Sequence, residues 1–315
     1  MAQDLKQPIT FQPIFMERIW GGRRLDTKFG KALPPQKRIG ESWEVVDREE
    51  AQSVVANGPL RGTSLHDLWQ HHRNEIFGAA RPSDRFPILI KLLDAQDKLS
   101  LQVHPPPHAA DQLGSECKTE FWYVAAADPG AKLFVGLNKP MTRQAFEKSI
   151  HAGTIADCVH SISVETGDAM FLPSGRFHAL GAGSVIVEIQ QNSDTTYRVF
   201  DWNRVDETGE QRQLHVAPAL QCIDFDDVRP ELVRPDGETL VQNELFEVQK
   251  WQLAEPREIA ATGEFAFVCC LTGRIECAGV EIAPGGFMLI PASLSGRLVK
   301  PMEEKTSLLR VTIPA

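Results

Sequence analysis

The sequence Gly167-Asp168-Ala169-Met170-Phe171-Leu172-Pro173-Ser174-Gly175-Arg176-Phe177-His178 is the most informative segment of the chain. It has a glycine turn, a short apolar run, a Pro-Ser-Gly turn and then a histidine, an order that predicts turn, strand, turn and strand. Similar apolar runs recur along the chain, separated by turns rich in glycine and proline. The chain contains 23 glycines and 21 prolines. This pattern predicts a fold built mainly from strands, as a sandwich or a barrel.

Two segments depart from the strand pattern and predict helices instead. The first begins at Ser64, which starts a capping-box sequence, and keeps its apolar residues on one face until Gly78. The second runs from Thr142 to about His151 and leads into a further short helical turn. Because strand-rich sequence lies on both sides of it, we expect residues 142–160 to be a small helical insertion on a β scaffold.

The same sequence pattern occurs a second time towards the C-terminus. Two later blocks resemble two earlier ones, with 264–268 matching 120–124 and 285–296 matching 167–178. The first glycine and the proline of the longer blocks agree, Gly167 with Gly285 and Pro173 with Pro291, so the repeat predicts two similar β units. Gly296 stands where the first unit has His178, and we therefore expect only the first unit to have chemistry at that position.

A charged stretch, Asp224–Glu238, contains two prolines and separates the two predicted units. Its composition predicts a linker. We therefore expect a first unit over residues 1–235, which includes the helical insertion, and a degenerate second unit over residues 236–315.

The overall composition excludes several classes of protein. The chain has 315 residues, 42% of them hydrophobic and 24% charged, which is typical of a folded globular protein. Its formal net charge of −9 disfavours nucleic acid and anionic membrane surfaces as partners, since both attract basic proteins. No apolar run approaches the roughly 20 residues of a membrane-spanning helix, and the polar start Met1–Gln7 lacks a signal sequence. We expect a cytoplasmic protein that is a monomer or a weak homo-oligomer.

Six cysteines are present, and none forms a Cys-x-x-Cys pair. In a cytoplasmic chain this pattern predicts free thiols and gives no support to a cysteine-based zinc site. The chain also lacks the glycine-rich phosphate loops of nucleotide-binding proteins, so no nucleotide cofactor is expected.

Four residues of the first unit have side chains that could bind a metal. Gln102 and His104 are two residues apart, so the alternation of a strand places their side chains on one face. Glu120 opens the next strand, and His178 ends the segment quoted above. Two imidazoles, one carboxylate and one amide oxygen form a donor set that suits Zn²⁺ and leaves a position open for water or substrate.

Structural alternatives exist for these residues and for the other histidines. Gln102 is also compatible with an ordinary inward-facing polar group, and Glu120 with a partner of Lys118 or a turn cap. A single histidine on a strand is usually structural, and we keep that interpretation for His108, His151, His160 and His215. His104 differs because a glutamine precedes it and a glutamate and a histidine follow in the expected order.

The spacing Gly167-x5-Pro173-x-Gly175-x2-His178 resembles the second sequence motif of the cupin superfamily, whose members are jelly-roll barrels. Further motifs, taken in order, resemble the type I mannose-6-phosphate isomerases in their shorter bacterial form. These motifs are Arg18–Gly22, Ile39–Glu44, Ser100–Pro105, Lys118–Tyr123, Leu172–Gly181 and Glu188–Trp202. The resemblance covers roughly residues 10–205 and implies an all-β fold with helical insertions, made of two cupin-like jelly-roll β-barrels of which the second is degenerate.

The resemblance implies a zinc enzyme, with one Zn²⁺ per chain, that interconverts mannose 6-phosphate and fructose 6-phosphate. The zinc ligands that it implies are His104, Glu120 and His178, with Gln102 as the fourth ligand of longer relatives. Another zinc cupin that isomerises or epimerises sugar phosphates is the first alternative, and a non-catalytic sugar-binding cupin is the second. The intact ligand set of the first unit favours catalysis.

The resemblance also implies roles for residues around the metal ligands. Arg198 falls at the family's active-site arginine, Lys118 and Ser100 at positions that line the site, and Glu188 at an acidic position after the last histidine. The isomerisation moves a proton between C1 and C2 through a cis-enediol and needs a base with a pKa near the working pH.

Two residues are candidates for that base, and the choice between them stays open. Lys118 is expected to have a lowered pKa if a dication lies beside it, and Glu188 is the other candidate. Arg198 is a poor base because the pKa of an arginine exceeds about 12, so we assign it to stabilising the enediolate or binding phosphate.

The substrate phosphate requires local positive charge, because the protein as a whole is negative. The candidate cations are Lys98, Lys118, Arg198 and the pair Arg23-Arg24. Of these, the arginine pair is more typical of a solvated loop.

Overall fold

Strands account for most of the regular structure between residues 5–205 and 209–314, the part of the chain that the computed structural model describes. Helices are few and short, which confirms the all-β class with helical insertions. Residues Met1–Asp4 of the polar N-terminal stretch lie outside the described residues.

The strands of the first half are β1 Ile14–Gly22, β2 Ile39–Val45, β3 Asp47–Arg48, β4 Ala51–Gln52, β5 Ile88–Ala95, β6 Leu101–Val103, β7 Glu120–Ala127, β8 Lys132–Leu137, β9 Val159–Ser163, β10 Ala169–Leu172, β11 His178–Leu180, β12 Ser184–Gln191 and β13 Tyr197–Phe200. Those of the second half are β14 Thr239–Gln242, β15 Glu247–Leu253, β16 Arg257–Glu258, β17 Ala266–Thr272, β18 Ile275–Cys277, β19 Val280–Ile282, β20 Phe287–Ile290, β21 Leu298–Pro301 and β22 Thr306–Thr312. The α-helices are α1 Arg24–Thr27, α2 Leu65–His71, α3 Arg73–Ile76, α4 Pro107–Leu113, α5 Arg143–His151 and α6 Val216–Cys222, and a 3₁₀ helix spans Ile155–Cys158.

Each half contains one larger and one smaller sheet, and β3 and β4 form a separate two-stranded sheet in the first half. The first half has a six-stranded sheet in the order β1-β2-β5-β12-β7-β10 and a five-stranded sheet in the order β13-β6-β11-β8-β9. The second half has the orders β14-β15-β22-β17-β20 and β16-β21-β18-β19. The order β5-β12-β7-β10 thus recurs as β15-β22-β17-β20, and β6-β11-β8-β9 recurs as β16-β21-β18-β19. The internal repeat is present as a repeated strand order.

The sequence alignment of the shorter repeat blocks is wrong by two residues. Strand β7 pairs with β10 so that Glu120 lies opposite Leu172, whereas β17 pairs with β20 so that Ala266 lies opposite Ile290. Leu172 and Ile290 occupy the same position after their turn glycines. The counterpart of Glu120 is therefore Ala266 and not Glu264. A shift of two residues keeps the same face of a strand, so the residue types alone did not reveal it.

The two halves share one aromatic core. The ring of Phe77 packs edge-on against Phe265 at 5.3 Å between centroids, and Phe86 packs against Phe267 at 5.6 Å. Gly78 permits this approach, because it has a φ of +59° and a Cβ at its position would lie 2.0 Å from the carbonyl oxygen of Gly263. No side chain fits there, so this glycine lets the two halves meet.

The first predicted helix begins where expected but ends earlier. The hydroxyl of Ser64 accepts a hydrogen bond from the Asp67 amide at 3.0 Å, which confirms the cap. The prediction of one helix up to Gly78 is wrong, because His72, with φ −125° and ψ 20°, separates α2 from α3. None of the helices within the described residues is long and apolar enough to cross a membrane.

The second predicted helical segment is confirmed as an insertion between β8 and β9. The hydroxyl of Thr142 caps α5 by accepting from the Ala145 amide, and Phe146 is buried beneath the helix. The 3₁₀ helix follows and leads directly into β9.

The predicted linker connects the two halves but packs against the first. Within Asp224–Glu238, the carbonyl of Asp227 accepts from the Leu137 amide, and the Val233 amide donates to the carbonyl of Ala169. The start of this stretch is therefore an ordered part of the first half's surface.

Candidate active site

Three neighbouring strands of the six-stranded sheet bring two charged residues and a tryptophan together on one face. On β12, Val187 and Ile189 belong to the core shared with the second half. Glu188 lies between them, so its side chain points to the opposite face. Lys91 on β5 and Trp122 on β7 lie directly opposite Glu188 in the strand register. Strand alternation therefore gathers these three side chains on one face.

Three of the four predicted metal ligands converge beside this face. His104 follows β6, Glu120 opens β7 and His178 opens β11, and one donor atom from each lies within 4.8 Å of the other two. Nε2 of His104 is 3.2 Å from Oε1 of Glu120, and Nε2 of His178 is 3.5 Å from Oε2. All three side chains are at most 2% exposed.

Backbone carbonyls orient the two imidazoles. Nδ1 of His104 lies 2.8 Å from the carbonyl oxygen of Thr195, and Nδ1 of His178 lies 2.9 Å from that of Arg176. A carbonyl can only accept, so Nδ1 has the hydrogen in each ring and Nε2 keeps a free lone pair. Burial, together with the neighbouring His104, lowers the pKa of His178 to about 3, and burial also lowers the pKa of His104. Both rings are therefore neutral, as metal coordination requires.

Gln102 lies next to these three residues. It pairs with His178 in the register of β6 and β11, and its amide nitrogen is 3.4 Å from Nε2 of that histidine. The hydroxyl of Ser100 donates to Oε1 of Gln102 at 3.3 Å. The glutamine predicted as a fourth ligand thus contacts His178, one of the three converging ligands, and Ser100 donates a hydrogen bond to its side-chain oxygen.

The donor set fits a divalent cation. Nε2 of His104 and both carboxylate oxygens of Glu120 are buried without any contact that has hydrogen-bond geometry. Buried polar atoms without partners are costly in free energy. A cation held among them would supply the missing partner, and two imidazoles with one carboxylate form a common donor set for zinc.

Lys118 forms an ion pair with the carboxylate of this cluster. Its Nζ lies 2.9 Å from Oε1 of Glu120. Burial opposes the charge of Lys118, but the negative charges of Glu120 and Glu188 outweigh burial and raise the pKa of Lys118. The two carboxylates therefore raise the pKa of Lys118, whereas the expectation from the sequence is that a dication lowers it.

Glu188 is the buried acid of the site. Burial and the negative charge of Glu120 raise the pKa of Glu188 to about 7. Its Oε1 accepts a hydrogen bond from Nε1 of Trp122 at 2.8 Å, while Oε2 lies 3.4 Å from Nζ of Lys91 and has no hydrogen-bond partner. Oε1 is thus held by Trp122, and Oε2 is free to accept a hydrogen bond or a proton.

A cavity of about 380 Å³ adjoins the cluster. Gln102 and Lys118, which contact the three converging ligands, form part of its wall. The other lining residues are Arg18, Trp20, Glu41, Lys91, Leu93, Leu99, Ser100, Trp122, Glu188, Asp194, Thr196, Arg198 and Arg212. The wall therefore contains five cationic side chains in a protein that is negative overall.

Arg198 and Arg212 make one part of this wall positive. The Nη1 group of Arg198 donates to the carbonyl of Gln213 at 2.9 Å, and its Nε is buried without a hydrogen-bond partner. Burial and the charge of Arg212 lower the pKa of Arg198. Asp201 holds Arg212 through two hydrogen bonds. An anion bound here would relieve the repulsion between the two guanidinium groups.

The other predicted phosphate-binding cations lie elsewhere. Nζ of Lys98 stacks on Trp202 at 4.0 Å from the ring centroid, and Lys98 is not among the residues that line the cavity. Arg23 pairs with Asp26, and Arg24 pairs with Asp128. The arginine pair is thus held by carboxylates on the surface.

Sequence reasoning missed several lining residues, above all Arg18 and Glu41. Arg18 donates to both carboxylate oxygens of Glu41 at 3.0 and 3.1 Å, and Nε1 of Trp43 donates to the same carboxylate at 2.7 Å. Both residues lie in N-terminal motifs to which no role was assigned. One feature of the sequence could have indicated these lining residues: Lys91 is a charged residue within the otherwise apolar run of residues 88–93 in β5, all of which is buried.

Comparisons with known proteins agree with this geometry. Residues 9–129 match the family model for the phosphomannose isomerase type I catalytic domain. The chain is 36% identical to the mannose-6-phosphate isomerase ManA of Bacillus subtilis, over 91% of this chain and 94% of that protein. It is 37% identical to the mannose-6-phosphate isomerase of Streptococcus mutans, over 92% and 94%.

A solved structure also matches the whole fold. The crystal structure of the mannose 6-phosphate isomerase from Bacillus subtilis superposes with a TM-score of 0.86 at 32% identity, covering 97% of this chain and 99% of that one. Sequence and structure are thus similar over nearly the full length, and the protein is an isomerase that belongs to the type I phosphomannose isomerase family.

Proposed function

We propose that this protein is a zinc-dependent isomerase that interconverts mannose 6-phosphate and fructose 6-phosphate through a cis-enediol. The observation that supports this most directly is the convergence of His104, Glu120 and His178 next to a cavity with cationic walls and one buried acid. The curated relatives act on mannose 6-phosphate according to their names. All four residues proposed as ligands are present in this chain.

In this proposal the metal ligands are His104, Glu120 and His178, with Gln102 as the fourth. A zinc ion held by them would supply positive charge to stabilise negative charge that develops on a sugar oxygen. The carbonyls of Thr195 and Arg176 keep the imidazoles in the required tautomer, and Lys118 balances the charge of Glu120.

We assign the proton transfer between C1 and C2 to Glu188. Its Oε2 lacks a hydrogen bond and Glu188 lines the cavity, whereas its Oε1 is fixed by Trp122. Lys118 remains cationic beside Glu120, which suits it to stabilising negative charge on the enediolate rather than to accepting a proton.

We assign the phosphate of the substrate to Arg198 and Arg212. Arg198 has a buried Nε without a partner, and both side chains line the cavity. Charge-assisted hydrogen bonds from guanidinium groups to phosphate are strong and geometrically specific. Asp201 would hold Arg212 in position while leaving Arg198 to the substrate.

The proposal extends to the fold. We propose that the two sheets of each half form a cupin-type jelly-roll barrel, with the catalytic barrel within residues 1–235 and a degenerate barrel over residues 236–315. The repeated strand order supports this, and the replacement of Glu120 by Ala266 in the second half supports a single metal centre.

A coupled assay tests the activity. Mannose 6-phosphate is supplied to the purified protein, and fructose 6-phosphate is measured before chelation, after chelation and after zinc is restored. We expect turnover that is lost with the chelator and recovered with zinc. Turnover that survives complete removal of metal would contradict the zinc requirement, and epimerised sugar phosphate as the product would favour an epimerase. Binding without turnover would favour a non-catalytic sugar-binding protein.

A further inference from the structure

The loop that leads into His178 is held by the segment that joins the two halves. Gly175, with a φ of +96°, donates its amide to the carbonyl of His104 at 2.8 Å. Its own carbonyl accepts from the Asp224 amide at 2.9 Å. The loop therefore lies between one proposed metal ligand and the start of the joining segment.

The side chain of Arg176 fixes the same loop. Its Nε and Nη2 donate to the two carboxylate oxygens of Asp227 at 2.8 and 2.9 Å, and its Nη1 donates to the carbonyl of Phe171 at 2.7 Å. The two charged side chains are only 16% and 13% exposed. A two-point guanidinium–carboxylate pair with this burial restricts both the position and the rotation of Arg176.

Arg176 also orients a proposed metal ligand through its backbone. Its carbonyl accepts the Nδ1 hydrogen of His178 at 2.9 Å, which turns Nε2 towards Glu120. The carbonyl and the guanidinium belong to one residue, so holding the side chain also restricts the carbonyl. Groups that orient a metal-binding histidine in this way commonly change metal affinity when they are removed.

Asp227 is itself fixed independently of Arg176. Its carbonyl accepts from the Leu137 amide at 2.8 Å, and two residues later the Arg229 amide donates to the Leu137 carbonyl at 2.9 Å. Leu137 of strand β8 thus anchors the backbone at Asp227 and two residues after it, which restricts the position of the carboxylate that faces Arg176.

We propose that Asp227, through Arg176, is a positioning residue for His178, so that the segment joining the two halves sets the strength of metal binding. This inference rests on the proposed metal centre. Asp227 touches neither the cavity nor the metal ligands, and its effect passes through the carbonyl of Arg176.

Zinc release from the loaded full-length protein tests this role. Zinc-loaded wild type, Asp227→Asn and Asp227→Ala are mixed with an excess of the chromogenic chelator 4-(2-pyridylazo)resorcinol, and the release rate is followed. Asp226→Asn is the matched control, because Asp226 is the exposed neighbour. We expect release about tenfold faster for Asp227→Ala, a smaller increase for Asp227→Asn, which keeps one acceptor, and the wild-type rate for the control.

Thermal unfolding of the metal-free proteins separates positioning from general stability. We expect the midpoint of metal-free Asp227→Asn to stay close to that of wild type while its zinc release is faster. Wild-type release rates in both Asp227 variants would overturn the proposal, as would faster release only in step with lost stability of the metal-free protein. If the wild-type protein binds no zinc, the metal centre of the proposed function is wrong. If the wild type and the variants bind zinc equally well, only the role of Asp227 is wrong.

Discussion

Nδ1 of His104 donates to the carbonyl oxygen of Thr195, 91 residues further along the chain, at 2.8 Å. This bond turns Nε2 of His104 towards Glu120, and the equivalent bond from His178 to Arg176 brings a second Nε2 to the same carboxylate. Two backbone carbonyls from separate loops thus aim both imidazoles at one point. The proposed metal centre depends on this alignment.

Replacement of His178 by alanine should remove metal binding while the protein stays folded. His178 supplies one of three converging donor atoms, so we expect a loss of zinc affinity larger than the roughly 10–100-fold that follows loss of an orienting partner. Zinc content by elemental analysis and the circular dichroism spectrum would be measured together. Wild-type zinc content in the folded variant would refute the ligand role.

Replacement of Arg198 by alanine should weaken catalysis without releasing the metal. Charge-assisted hydrogen bonds contribute about 1.5–3 kcal/mol, so kcat/KM for mannose 6-phosphate should fall by about 10- to 150-fold. Zinc content should equal that of wild type. Arg234→Ala, which changes an exposed surface arginine, is the control. Release of zinc by Arg198→Ala would contradict the separation between phosphate binding and metal binding.

The proposed base predicts a dependence of activity on pH. Burial and Glu120 raise the pKa of Glu188 from 4.5 to about 7, and a bound cation would pull it back down. A base works only when deprotonated, so kcat/KM should fall as pH decreases, with a midpoint between 4.5 and 7. Glu188→Gln should lose most activity and keep zinc. A Glu188→Gln variant with substantial turnover would favour Lys118 as the base, and Lys118→Met would then be the inactive variant.

Glu41 predicts a dependence of stability on pH. Burial opposes its ionisation, but Lys91, Arg18 and the hydrogen bond from Trp43 lower the pKa of Glu41 from 4.5 to about 2. A carboxyl group with a lower pKa in the folded state stabilises the protein above about 4.5, and this stabilisation is lost as pH falls towards 2.

We therefore expect the free energy of unfolding of wild type to fall more steeply between pH 4.5 and 2 than that of Glu41→Gln. Urea unfolding at a series of pH values measures this difference. Glu17→Gln is the control, because Glu17 pairs with Lys37 on the surface, and it should keep the wild-type slope. Parallel curves for wild type and Glu41→Gln would show that the ionised Glu41 contributes no stability.

The cysteines should differ sharply in reactivity. Five thiols are buried, and Cys117 is partly exposed. Burial raises the pKa of Cys222 to about 11 and those of Cys270 and Cys277 to about 12, which suppresses the reactive thiolate. A thiol-specific colorimetric reagent should therefore modify one thiol in the native protein and all six after unfolding. Rapid modification of native Cys117→Ser would show that a buried thiol is accessible.

Much of the candidate site could be predicted from the sequence because its pattern is local. Gln102 and His104 share a face by strand alternation, and turn residues around His178 mark a strand boundary, so both follow from neighbouring residues. The helical insertion follows in the same way from the helical spacing of its apolar residues Phe146 and Ile150. Family motifs then associated Glu120 with these residues. The structure brings His104, Glu120 and His178 together and places Gln102 beside His178.

Other features depend on which strands lie side by side, and no local pattern specifies that. The sequence pattern aligned Glu264 with Glu120, two residues away from the true counterpart. A shift of two residues along a strand leaves each side chain on the same face, so only the pairing of β17 with β20 identifies Ala266 as the counterpart. Arg18, Glu41 and Lys91 come together from three strands, and Asp227 reaches Arg176 from a stretch that resembles a linker. By itself the sequence determined, through alternation and turns, which residues are candidates for binding a metal, and the family motifs added Arg198 as a candidate for binding phosphate. Long-range strand pairing alone determined which charges surround them, because electrostatic effects on Lys118 and Glu188 depend on distances in space and not on separation along the chain.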